Sequence, residues 1–94
     1  ALMLMNSPNV RGYARSLAGQ LTKKAGDDLE RLVVTGYETV LGREPHAEEL
    51  SATVEFLKLQ EDSYAQAKQG NPRELALTDF AQTLFGLNEF SYLR

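Results

Sequence analysis

Four glycines, at positions 26, 42, 70 and 86, divide this chain, and each segment before them carries apolar residues at helical spacing behind a helix-start signal. That punctuation constrains the fold more than any other feature, because glycine most readily takes the left-handed conformation that ends a helix. Ser7-Pro8 opens the first segment. The residue before a proline avoids the helical region and suits a cap, and proline suits the first helical position. Val10, Ala14, Leu17, Ala18 and Leu21 follow at helical spacing, and Lys23 and Lys24 sit where cations favour the helix dipole. The spacing predicts a first helix over about 8–25, ended by Gly26.

Asp27 with Glu30 three residues on makes a capping-box pattern, and Leu29, Leu32, Val33, Tyr37, Val40 and Leu41 form the cleanest apolar stripe. A second helix is expected over about 28–41, with Gly42 as its stop. Gly36 lies on that stripe, which implies a helix packed close against it. Leu50, Val54 and Leu57 mark a third helix over about 47–69, with Phe56 and Leu59 widening its face. Beyond Gln60 the pattern thins, leaving Tyr64 as the one expected contact before Gly70. Asn71-Pro72-Arg73-Glu74 repeats the scheme of cap, proline and glutamate. Leu77, Phe80, Ala81, Leu84 and Phe85 then define a fourth helix over about 73–86. Gly86 is expected to break it, and the apolar tail LNEFSYLR to fold back on the bundle. No stretch alternates like a strand. The expectation is an all-α bundle of four helices with short connections.

Ninety-four residues, 43% of them apolar, suffice for one small domain over 1–94. The apolar start Leu2-Met3-Leu4-Met5 has no evident upstream partner, which suggests a fragment of a larger protein. The first 26 residues carry Arg11, Arg15, Lys23 and Lys24 and no acid. The remainder holds all thirteen acids against six bases, for a net charge of −3. An acidic majority repels phosphate backbones, so no nucleic-acid partner is expected. Arg11 and Arg15 are expected to meet acidic parts of the same chain. The absence of cysteine excludes disulfides, thiolate nucleophiles and thiolate metal sites. No apolar run approaches a membrane span, so no membrane insertion is expected.

The stretch VLGREPHAEEL, residues 40–50, concentrates the reactive side chains. His46 and Glu49 share a helix face, with Glu44 near, but a catalytic zinc site usually takes three protein ligands and His46 is the single histidine. Helix-start chemistry accounts for the pattern: His46 as N-cap, Glu48 and Glu49 in the first turn. Nucleophilic catalysis needs a base beside a hydroxyl, and the serines all have cap or helix roles available. No catalytic, metal or cofactor residue is therefore assigned. The structural roles fall on Ser7, Gly42, Arg43, Pro45, His46, Asn71 and Glu89. Arg43 is expected to pin the tail by pairing with Glu89 or with a carbonyl at a helix end.

Three motifs, LMNSPNV at the start, YETVLGREPHAEEL in the middle and LNEFSYLR at the end, resemble the C-terminal part of a planctomycete-specific domain family of unknown function. That family occurs in large exported proteins, many with planctomycete cytochrome-c-like domains. The last two motifs also resemble, more loosely, a bacterial surface-protein module with LGR-x-P and a terminal E-F. The resemblance implies an extracytoplasmic protein, no assigned reaction and no catalytic residue to carry over. Haem is not expected here, since the chain lacks C-x-x-C-H. The family usually has threonine, serine or aspartate followed by proline where this chain has His46-Ala47. Histidine is a poorer cap, so His46→Thr or His46→Asp should stabilise the fold by up to about 1 kcal/mol in urea denaturation. The functional expectation is a non-catalytic structural or interaction module. It would bind upstream domains of the same polypeptide, or self-associate through exposed apolar surface. The second reading is one wall of a ligand- or glycan-binding cleft in a larger extracellular enzyme.

Overall fold

The computed structural model describes the backbone of residues 7–93 and the side chains of residues 7–89. Four helices follow in order: α1 Val10–Ala25, α2 Leu29–Leu41, α3 Ala47–Ala67 and α4 Pro72–Leu93. Among the described residues there is no strand, and the chain is an all-α bundle. The apolar segment 2–5 lies outside the described residues, as do the side chains of Phe90, Tyr92 and Leu93.

The helix starts follow the sequence signals, two of them shifted. Ser7 Oγ accepts the Asn9 N–H at 3.1 Å, so Ser7 caps a turn that precedes α1, and the helix proper begins at Val10 rather than at Pro8. The α2 cap is Asp28 and not Asp27. Asp28 is extended, and its carboxylate accepts from the N–H groups of Glu30 at 3.0 Å and Arg31 at 3.4 Å. Asp27 lies in the connection, where its backbone carbonyl accepts from Arg73 Nη1. Asn71 caps α4 as expected, accepting the Glu74 N–H at 3.1 Å, with Pro72 in the first helical position.

The ends differ more. Gly26 and Gly42 stop α1 and α2 at φ 73° and 69°. α3 ends before Gly70, because Lys68 itself takes the left-handed position at φ 55° and the Gln69 N–H reaches back to the Tyr64 carbonyl at 3.2 Å. Gly86 does not break α4. Its φ is not positive, and the helix continues to Leu93, so residues 87–93 extend α4 instead of folding back. A mid-helix glycine costs only about 1 kcal/mol. Leu84 and Glu89, buried on either side of Gly86, keep the extension packed.

α4 is the central helix. It packs against α1, α2 and α3, whereas the backbones of α1 and α3 do not meet among the described residues. Phe80, Leu77 and Leu84 of α4 are buried with Leu21 of α1, Leu32 and Val33 of α2 and Leu57 of α3. Gly36 lets α2 pack close against α4, facing the Phe80 ring and Leu84. Leu59, expected to widen the α3 face, is 59% exposed. Two residues of helix turn it about 200° from Leu57, onto the far side.

Candidate functional site

Side chains from three helices meet at Asp79, midway along α4. Its Oδ1 accepts Arg11 Nη1 of α1 at 2.7 Å. Its Oδ2 accepts Gln60 Nε2 and the Tyr64 hydroxyl of α3, both at 2.8 Å. Arg11 Nη1 also reaches Gln82 Oε1 at 3.2 Å. The Asp79 side chain is only 15% exposed. Donating to Asp79 raises the Tyr64 pKa, and burial of the phenol adds to this. Burial would lower the Arg11 pKa, but the Asp79 carboxylate reverses that and the net shift is upward. Asp79 thus joins α1 to α3, which have no direct backbone contact among the described residues. Arg11 meets an acid of its own chain as the sequence implied. Tyr64 is a hydrogen-bond donor and not merely an apolar contact.

A second clamp is built on Arg73, in the first turn of α4. Its Nε donates to Glu61 Oε2 at 2.6 Å and its Nη1 to the Asp27 carbonyl at 3.0 Å. One guanidinium therefore holds the second half of α3 and the α1–α2 connection.

The corner at residues 42–49 is the third cluster. Arg43 meets Glu49 with a two-pronged pair, Nη1 to Oε1 at 2.8 Å and Nη2 to Oε2 at 3.1 Å. Arg43 also donates to the Glu44 carbonyl at 3.1 Å, and its guanidinium carbon lies 5.4 Å from the Tyr37 ring centroid. Its carboxylate partner is therefore Glu49, where Glu89 was expected. Glu89 is buried on the extended α4, which runs on straight where a folded-back tail was expected to bring it to the corner. Pro45 turns the chain, and the His46 N–H donates to Glu49 Oε1 at 2.8 Å, the glutamate half of a capping box. His46 thus occupies the N-cap.

The Arg43 hydrogen bonds, then the His46 N–H, hold the Glu49 carboxyl down to about 2 from its ordinary 4.5. A depressed folded-state pKa stabilises above the unfolded value and loses that contribution as pH falls through the folded one. The Glu49 share should therefore fade between pH 4.5 and about 2. Glu49→Gln should flatten that part of the acid limb in urea midpoints measured across this range. An acid limb identical to that of the parent chain would contradict the assignment.

No cluster of three or more histidine, cysteine, aspartate or glutamate side chains able to hold a metal exists among the described residues. Among them, too, no helix is long and apolar enough to cross a membrane. One apolar notch of about 140 Å³ opens between α2, α3 and α4, walled by Tyr37, Phe56, Phe80 and Leu84 with Leu87 on its rim. Leu87 is 40% exposed. The tyrosines do not gather around it: Tyr13 is exposed on α1 and Tyr64 is held by Asp79.

Sequence reasoning placed Gly42, His46 and Asn71 at helix ends and Pro45 in the turn between helices, where they lie, whereas Ser7, expected as the first helix's cap, sits in the turn before α1, whose N-cap is Asn9. It missed Asp79, Gln60 and Arg73 as joints between helices. Their one sequence signal is position: Asp79 falls beside Phe80 in the middle of an apolar stripe, where an acid needs a partner. The chain matches no protein-family model, no curated protein and no solved structure.

Proposed function

We propose that this chain is a non-catalytic structural or protein-interaction module of an exported protein, docking through the notch beside Leu87. The single observation that carries this reading is the notch itself. At about 140 Å³ it resembles in size the engineered cavities of about 150 Å³ that admit benzene, so it suits one aromatic or branched side chain. Buried apolar anchors of that kind dominate interface energies. Asp79, Arg73 and Arg43 are engaged away from the notch, where they clamp helices and a corner together. The partner is another part of the same exported polypeptide, in keeping with the resemblance of the three motifs.

The test is amide hydrogen exchange on the 94-residue chain alone and on the chain with the flanking sequence its gene encodes. Added protection confined to about 52–56 and 80–87 in the longer protein is the expected result. Equal exchange in both, or a gene that encodes no further domain, would overturn the reading. Glycan binding has no comparable observation behind it, since the described tyrosines and carboxylates do not share a concavity.

A further inference from the structure

We propose that the cleft between α1 and the start of α4 is a binding site for a small multivalent oxyanion, of the phosphate or polycarboxylate class. The cleft measures about 580 Å³, within the range of small-molecule pockets. Arg15, Lys23 and Arg73 line it, with the small residues Ala18 and Gly19 and with Glu74.

The cations of the basic first segment have different fates. Arg11 is consumed internally by Asp79 at 2.7 Å. Arg15 is held more loosely: it pairs with Glu74 at 3.9 Å, beyond hydrogen-bond distance, and its side chain is 62% exposed. Lys23 has no ion pair among the described residues. Arg73 is held from behind by Glu61 and the Asp27 carbonyl, which use two of its five N–H donors and fix its orientation. A guanidinium already oriented gives up less entropy when it binds an oxyanion. Three cations thus line one cleft with Glu74 the one acid among the lining residues and Glu61 behind Arg73, in a chain of net charge −3. The small side chains at Ala18 and Gly19 leave room for the ligand. A Cβ at position 19 would meet nothing within 4 Å, so the space above Gly19 is empty of protein.

This site is independent of the notch beside Leu87, which lies among α2, α3 and the second half of α4. The experiment is a nuclear magnetic resonance titration of the full chain with pyrophosphate and, separately, with citrate, with sulfate as the single-centre control. Saturable shifts at the amides of Gly19, Thr22, Asn71 and Glu74 are expected, with a Kd below about 1 mM for the better of the two ligands. Stronger binding of pyrophosphate assigns a phosphorylated ligand, and stronger binding of citrate a polycarboxylate. Arg15→Gln should weaken binding about tenfold, the loss of one charge-assisted contact. Gly19→Leu leaves every cation in place and should abolish binding by filling the cleft. Lys58→Gln on α3 should leave it unchanged. Equal affinity in the Gly19→Leu variant, or shifts spread evenly over all basic residues, would overturn the proposal, as would the absence of saturation.

Discussion

Asp79→Ala should destabilise the fold by about 3 kcal/mol, one unit for each of three lost side-chain hydrogen bonds. For a domain of this size that is a fall in melting temperature of about 15 °C. The carboxylate accepts from Arg11 of α1 and from Gln60 and Tyr64 of α3, two helices whose backbones do not meet among the described residues. Removing it strands a phenol and an amide at a part-buried junction, while the Arg11 guanidinium, at 41% side-chain exposure, turns to water. Urea denaturation of Asp79→Ala, Tyr64→Phe and the double variant separates the terms. Coupling between the two substitutions is expected, because they share one hydrogen bond. A loss under about 1 kcal/mol with no coupling would mean that the junction is a surface contact of the ordinary, weak kind.

Gly36→Ala should cost about 2 kcal/mol, although alanine is the better helix former by about 1 kcal/mol. A Cβ at position 36 would lie 2.7 and 2.9 Å from ring carbons of Phe80 and 3.0 Å from Leu84 Cδ1. Both neighbours are buried, Phe80 at 2% exposure and Leu84 at 0%, so shifting either one disturbs the packed core. The same substitution at Gly19 should have the opposite sign and stabilise by about 1 kcal/mol, since a Cβ there meets nothing within 4 Å. Thermal denaturation of the pair tests packing against intrinsic propensity. A stabilising Gly36→Ala would show that α2 can draw away from α4 without loss.

Most of the secondary structure was legible because its signals are local. Asn71 reaches a donor three residues on, and Gly42 needs only its own φ, so neither depends on the rest of the chain. The shift from Asp27 to Asp28 was not legible, since both residues have cap chemistry and adjacent aspartates carry no local mark of which one caps. Gly86 illustrates the same limit. A glycine permits a helix end without requiring one, and the burial of Leu84 and Glu89 carries α4 through. Within the candidate site, the corner was half legible. Arg43 was singled out, but its partner is Glu49, six residues away, in place of Glu89. The straight extension of α4 removed the folded-back tail on which the Glu89 pairing depended.

Period, cap and proline act within a few residues, so the order of amino acids alone was enough to specify an all-α chain, its four helices and roughly where each starts. The central place of α4, and the role of Asp79 as the joint between α1 and α3, came from the packing of helices. So did the gathering of Arg15, Lys23 and Arg73 around one cleft. Arg11 and Asp79 stand 68 positions apart. A charge on a helix surface carries no local mark of its partner, and the angle at which two helices pack selects which charges meet.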